Sequence, residues 1–301
     1  MSKVVGGYKM ATLGIDLGNY NIKTSSGVIF PSKVTTKENL LENSKVLVVN
    51  GIKYFIGSGE LEINLNKSSK ENTLVLLYAA ILESTKDAVV NVVVGLPISQ
   101  FKENKYIFKA NLTQSKFIAL DYCNQLRNII LNNVEIFPEG MGTYLSLTNR
   151  PKNCVIIDIG GRTTNIIEVK NGKYFNGISM ALGMINLYSN IRDYLNGKHT
   201  LDLKLEDIET VLKEGLYVDG EKVDMTSIKS YFKNMVDALM NELNLNYPVR
   251  TSEVLLSGGG AHLLNNILSK KISRLTLVED YLFSNAKGFR KVGDSLWKEE
   301  E

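Results

Sequence analysis

The chain has 301 residues, 44% of them hydrophobic and 22% charged, enough for one large or two ordinary domains with a buried core, and this excludes intrinsic disorder. Its 35 Lys and Arg against 32 Asp and Glu leave a formal charge of +3, which excludes a protein that holds nucleic acid mainly through its phosphates. No run approaches the roughly eighteen apolar residues of a membrane span, and Cys123 and Cys154 alone cannot make a disulfide framework or a four-cysteine zinc site.

The opening MSKVVGGYKM has neither the apolar core of a signal peptide nor the face of an anchoring helix, so an unprocessed cytoplasmic protein is expected. Strand patterns are predicted at 12–17, 28–30, 45–49 and 53–56, followed by a helix at 72–86 and a strand at 89–94. A strand at 134–137 leads into a helix at 139–147, then come strands at 154–159, 165–169 and 173–175. Cys154, at the start of an apolar run, reads as a reduced, buried thiol. Helices are predicted at 182–195, 205–213 and 226–243, then a strand at 253–257 and a helix at 261–268. In the long helix Ile228, Phe232, Met235, Val236, Leu239 and Leu243 form one core-facing stripe, with Asp224 or Thr226 as its cap. Hairpins followed by helices and returning strands predict an α/β protein with mixed sheets, and with only five prolines and no low-complexity run its domains would be joined by short crossings.

One comparison within the chain predicts its architecture. GIDLGNYNIKT (14–24) and IIDIGGRTTNII (156–167) share an apolar strand, an Asp, an apolar residue, a Gly, a polar turn and a second strand. Asp16 and Asp158 lie about one domain apart, so two similar halves with a cleft between them are expected.

In the first segment Asp16 ends a buried strand, Gly18 permits a tight turn, Asn19, Tyr20 and Asn21 form the tip, and Lys23 follows on the returning strand. The backbone N–H groups of such a turn suit phosphate oxygens, and Asp16 would face a hydrated magnesium ion. An ordinary hairpin is the alternative. In the second segment Asp158 ends the strand and Gly160, Gly161, Arg162 and Thr163 make the turn; two carboxylates aimed at one site repel unless a cation lies between them. A Gly-Gly turn closed by a structural Asp stays open here. In VLLSGGGAHLLNNIL, Gly258, Gly259 and Gly260 let a ligand approach the backbone before a helix N-terminus, whereas a mere strand-to-helix connection needs one glycine. His262 reads as an ordinary helix residue.

The order of these segments with VVVGLPISQF (92–101), FPEGMGTYLS (137–146), LLSGGGAHLL (255–264) and FSNAKGFRK (283–291) resembles the five-motif signature of the actin, sugar-kinase and heat-shock-chaperone ATPase superfamily. The VGLP, FPEG and SNAKGF segments look most like the ParM-type plasmid-segregation actins. The resemblance implies an actin-like two-domain fold, two ribonuclease-H-like halves around a nucleotide cleft. One domain would comprise 1–149 plus 282–301, with an outer lobe at about 31–70, and the other 150–281.

By the same resemblance, Gly18 to Asn21 with Lys23 and, from the other domain, Gly160 to Thr163 would hold the β- and γ-phosphates. Asp16 and Asp158 would position magnesium through water. Glu139, at the start of the helix crossing between domains, matches the residue that orients the attacking water, a role compatible with complementing that helix's N-terminus. Gly258, Gly259 and Gly260 would pack on the adenosine and α-phosphate, and Glu209 and Lys213 are candidates for base and ribose. Asn285, Ala286 and Gly288 match the second connecting motif, whose small residues serve the hinge. The hairpin tip departs from the pattern, carrying Asn19, Tyr20 and Asn21 where most actin-like turns have Ser, Thr or Gly.

The expected function is an ATPase, with GTP left open as substrate and Mg2+ as cofactor, that assembles into homopolymeric filaments and segregates plasmid DNA through a DNA-binding adaptor of the ParR type. DNA is reached only indirectly and no membrane is involved. A small-molecule kinase acting on a sugar or vitamin, and a non-polymerising nucleotide-gated scaffold, are the alternatives.

Overall fold

The computed structural model describes residues 3–5, 8–39, 43–62, 64 and 66–298. The first half contains strands β1 (Lys3–Val5), β2 (Tyr8–Leu17), β3 (Asn21–Thr24), β4 (Ile29–Pro31), β5 (Lys33–Thr35), β6 (Lys45–Val49) and β7 (Ile52–Leu61). Helix α1 (Thr73–Ser84), β8 (Val89–Leu96), α2 (Ile98–Leu112), β9 (Phe117–Tyr122), β10 (Gln125–Pro138) and α3 (Met141–Ser146) follow. The second half runs through β11 (Cys154–Ile159), β12 (Thr164–Lys170), β13 (Lys173–Met180), α4 (Met184–His199), α5 (Asp207–Glu214) and the short ribbon β14 (Tyr217–Val218) and β15 (Glu221–Lys222). It ends in α6 (Lys229–Asn246), β16 (Glu253–Ser257), α7 (Ala261–Leu268), β17 (Leu275–Leu277) and α8 (Ser284–Leu296).

The apolar runs VVNVVVGL and CVIIDI show no alternation because β8 and β11 are buried on both faces. Among the described residues the first sheet has the order β4-β3-β2-β8-β10-β9-β6-β7-β5, with β1 on β2, and the second β13-β12-β11-β16-β17. From β4 to β10 the pairings run antiparallel, antiparallel, parallel, parallel. From β13 to β17 they run the same way. The repeat visible in two short segments therefore extends through both sheets, with β2 equivalent to β11 and β3 to β12.

Beyond β10 the first sheet continues antiparallel through β9, β6, β7 and β5. The segment expected as a small lobe at 31–70 is thus an extension of its parent sheet, completed by β9 and the start of β10. Those last strands carry no legible pattern because their apolar residues are split between the two faces, with Phe117 and Leu126 turned to solvent. Helix α2, absent from the elements predicted above, buries little more than Phe108 and Leu112, too few for a stripe.

Each half has its own core, one including Ile15, Leu47, Ile81 and Ile136, the other Ile157, Ile191, Leu239 and Leu264. A smaller cluster joins Met141 and Tyr144 of α3 to Ile156 and Leu255 of the second sheet. The Asp224 carboxylate accepts from the Thr226 backbone N–H at 2.9 Å, and the predicted stripe is buried at Ile228, Met235, Val236, Leu239 and Leu243. The helix expected at 139–147 begins at Met141, because Gly140 at φ +76° is outside the helical region, so Glu139 stands on the turn after β10.

Helix α8 packs on α3, β2 and β8. A Cβ on Gly288 would lie 1.8 Å from the Gly142 carbonyl oxygen, and one on Gly14 1.9 Å from that of Ala286. Backbone rests directly on backbone there, which only glycine permits. No described helix is long and apolar enough to cross a membrane.

Candidate functional site

The equivalent hairpins place Asp16 and Asp158 at the ends of β2 and β11, both buried. Register then sets their chemistry. Asp16 is paired across its hairpin with Lys23, whose Nζ lies 2.9 Å from Oδ2, whereas Asp158 is paired with Asn165. Burial pushes the Asp16 carboxyl up, but the Lys23 and Lys67 charges and the Lys23 hydrogen bond together hold it below its ordinary value. Asp158 has no such cation opposite: burial first, then the Glu139 and Asp16 charges, push it up to about 6 against a smaller opposing hydrogen bond from Asn285. One hairpin therefore carries a compensated carboxylate and the other an uncompensated one. No motif marks Asn165, yet it and Lys23 each follow their aspartate by seven residues, and superposing the two segments is the signal that finds it.

Glu139 is buried between the hairpins. Its Oε2 accepts from Asn165 Nδ2 at 3.1 Å, and Asn165 Oδ1 in turn accepts from Ser179 Oγ at 2.6 Å. Its Oε1 is ion-paired with Lys67 Nζ. Lys67, which no motif marks, comes from the turn between β7 and α1.

The hairpin tips need glycine for close approach. A Cβ on Gly18 would lie 2.4 Å from the Asn21 oxygen, and one on Gly160 2.9 Å from the Thr163 oxygen, the same contact in both turns. The bulky Tyr20 is accommodated across the cleft: its ring meets that of Tyr188 edge-on at 6.2 Å, and its Cβ would be 2.7 Å from a Cβ on Gly161. Nearer the mouth, Lys33 Nζ reaches Glu206 Oε1 at 3.0 Å, joining β5 to the N-terminus of α5.

Asp16, Gly18, Asn19, Tyr20, Asn21 and Lys23 line a cavity of about 160 Å3 together with Glu139, and Asp158, Gly160, Gly161 and Thr163 close it from the other side. Gly259 and Gly260 also line it, and nothing lies within 4 Å of where a Gly259 Cβ would be. Gly258, at φ +89°, is instead tucked beneath Asp158, where an added Cβ would stand 2.6 Å from Oδ1, and it serves the carboxylate's support. Arg162 is half-buried outside the cavity lining. Glu209 lines both this cavity and an adjoining hollow of about 750 Å3, but Lys213, one turn further along α5, is exposed and lines neither.

Among the described residues no group of three or more His, Cys, Asp or Glu side chains could hold a metal ion directly. The donor set fits magnesium in another way: this ion keeps much of its water and needs only one or two carboxylates beside phosphate oxygens. Asp158, with its uncompensated charge, and Asp16 on the facing hairpin are the residues that would hold it.

Comparison with known proteins matches residues 14–142 to the N-terminal domain of actin-like proteins and residues 156–270 to the C-terminal domain of the archaeal MreB-like actin homologues. The fold is similar to that of Ta0583, an archaeal actin homologue, with a TM-score of 0.82 at 19% identity over 95% of this chain and 100% of that one. The ADP complex of the same homologue gives 0.80 at 19% identity over the same shares, 95% and 100%. A ParM from Clostridium botulinum, solved as a 15-stranded filament, gives 0.77 at 22% identity over 94% of this chain and 99% of that one. No curated protein sequence matches the chain.

Proposed function

We propose, on the premise that the chain belongs to the actin-like proteins, that it is a nucleotide-dependent, filament-forming ATPase whose polymers move plasmid DNA through an adaptor of the ParR type. The observation that carries the proposal is the buried Glu139, held by Asn165 and facing a cavity whose two walls are equivalent Asp-Gly hairpins. The solved relatives supply the precedents: one holds ADP and another is a filament.

The tight turns at Gly18 to Asn21 and Gly160 to Thr163 would bind the β- and γ-phosphates through backbone N–H groups, with Lys23 adding charge. Magnesium, held by Asp16 and Asp158 through water, would neutralise phosphate oxygens. Glu139 accepts a hydrogen bond from the attacking water and receives its proton. The water oxygen bonds to the γ-phosphorus as the bond to the bridging oxygen breaks, and that electron pair leaves with ADP. Asn165 fixes the Glu139 carboxylate by holding its second oxygen.

With a net charge of +3 the chain neutralises few phosphates, so DNA is reached through the adaptor. Light scattering and sedimentation with Mg2+ and ATP, ADP or no nucleotide test the reading, alongside phosphate release. Polymer that forms only with ATP, with phosphate release lagging assembly, is expected. ADP production that instead requires a sugar acceptor, without polymer, would make the chain a kinase. Sequence-specific DNA that pellets at physiological salt without an adaptor would sink the indirect link.

A further inference from the structure

The turn between β7 and α1 brings Lys67 into the lining of the cleft and Lys70 to its edge, and no phosphate-loop motif contains either. Lys67 is only 3% exposed and is ion-paired with Glu139. Lys70 Nζ donates to Asn19 Oδ1 at 2.6 Å, at the tip of the first hairpin. The turn is fastened from outside the hairpins: the Lys67 backbone N–H donates to Gln100 Oε1 at 3.0 Å, and Asn111 Nδ2 donates to the Ser68 carbonyl at 2.7 Å, both partners on α2. Asn66 Oδ1 accepts from the Ser68 N–H at 3.1 Å and closes it. These lysines are therefore carried by the outer part of the first half and not by either hairpin.

Of the two charges, that of Lys70 is poorly balanced. Lys70 donates to a neutral amide, and burial, the Lys67 charge and the Arg162 charge pull its ammonium down to about 8 despite Glu62 and Glu139. Lys67 thus lines the cavity between the two hairpin turns in contact with Glu139, and Lys70 reaches the same cavity through Asn19. Such a cluster gains most from a further anion, since charge-assisted hydrogen bonds to phosphate oxygens are the strong ones.

The position of that anion follows from Glu139. A carboxylate that orients the attacking water stands beyond the γ-phosphorus, in line with the breaking bond, and a lysine paired with it lies past the end of a diphosphate.

We propose that Lys67 and Lys70 form a γ-phosphate sensor: the third phosphate of a bound nucleoside triphosphate takes both ammonium groups, Lys67 leaves Glu139, and the 67–70 turn closes on the hairpins. With a diphosphate, Lys67 stays on Glu139 and keeps that carboxylate from its water. Through Gln100 and Asn111 the exchange pulls on α2, which packs on β10 and on β13 of the second half, so the nucleotide's last phosphate is coupled to the contact between the two halves. This rests on the reading of the cleft as a nucleotide site.

Equilibrium binding of fluorescent ADP and of a fluorescent non-hydrolysable ATP analogue, both with Mg2+, tests it on the unaltered chain and on Lys67→Gln, Lys70→Gln and Lys67→Arg. The unaltered chain is expected to prefer the triphosphate. Each Gln variant should lose about tenfold of that preference, the worth of one charge-assisted contact, while ADP affinity stays within about twofold. Lys67→Arg should retain it. Should Lys67→Gln fail to fold, because it leaves Glu139 buried without its cation, Lys70→Gln and the double variant Lys67→Gln with Glu139→Gln carry the measurement. Equal losses for both nucleotides, or an unchanged preference in Lys70→Gln, would overturn the sensor while leaving the nucleotide site standing. Failure of the unaltered chain to bind either nucleotide would overturn both.

Discussion

The Asn285 side chain on α8 donates from Nδ2 to Asp158 Oδ2 at 2.8 Å across 127 residues of chain. Its Oδ1 faces the other way and accepts from the Gly140 and Thr143 backbone N–H groups at 2.8 and 3.2 Å. One amide therefore ties the uncompensated carboxylate of the second half to the turn that carries Glu139. Resemblance alone assigns this residue to the hinge; the structure adds the contact that makes hinge position and carboxylate position one quantity.

Asp158 should weaken the nucleotide-free fold above its own pKa. Its folded value of about 6 lies above the ordinary 3.8, so between those values the native state binds a proton that the unfolded state does not. Stability from this group is present below about pH 4 and is lost as pH rises through about 6, by roughly 3 kcal/mol at most. In nucleotide-free, magnesium-free protein, Asp158→Asn is expected to raise the denaturant midpoint at pH 7.5, with the gain vanishing towards pH 4. The same variant should bind nucleotide less tightly with magnesium but change little in EDTA. A gain independent of pH would show that the charge is not its cause.

Glu139→Gln should bind nucleotide and lower single-turnover hydrolysis by about a hundredfold or more, the scale of a positioned general base. The substitution keeps the length of the side chain and its hydrogen bond to Asn165, so thermal unfolding serves as the control. Unchanged turnover in rapid-quench measurements would remove Glu139 from the chemistry.

The glycines separate into those the fold requires and those it tolerates. Gly288→Ala puts a methyl group where the Gly142 carbonyl already is, and neither backbone can yield, so a loss of about 3 kcal/mol or more is expected. Gly197, inside α4, has nothing within 4 Å of its missing Cβ, and Gly197→Ala should add about 0.5–1 kcal/mol. Urea denaturation of the pair gives both signs in one experiment.

Cys123 is exposed and Cys154 is buried, with burial and then Glu253 pushing the latter's thiol up to about 12. An aromatic disulfide reagent at pH 8 should titrate one thiol per folded chain and a second only in denaturant. Mass spectrometry of the labelled peptides should find the first label on Cys123. Label on Cys154 in folded protein would mean that β11 opens readily.

What can be read from the sequence follows how local each relationship is. Asp16, Gly18 and Lys23 lie within one hairpin, and Asp158 stands out because the same spacing recurs, so both carboxylates are visible as a repeated pattern. Lys67 reaches Glu139 from 72 residues away, out of a polar turn with no period to betray it. The helices with a broad apolar stripe are legible to within a few residues, α7 to the residue, because their burial is one-sided. β9 and the start of β10 are not, since an outer sheet extension exposes half of its apolar side chains. Arg162 and Lys213 show the remaining limit: a spacing names neighbours along the chain, and the direction of each side chain is settled only by packing.

The direct seating of α8 on Gly14 and Gly142 also bears on the order in which the molecule is made. Translation produces every strand of both sheets before residues 284–296 exist, so β2 and β8 leave the ribosome with one face bare and Asp158 without its amide. A nascent chain can form each core, but its two halves are not yet locked to each other. Competence for the proposed assembly therefore waits on the docking of a single helix, which locks the two halves and the Asp158 carboxylate together in one step.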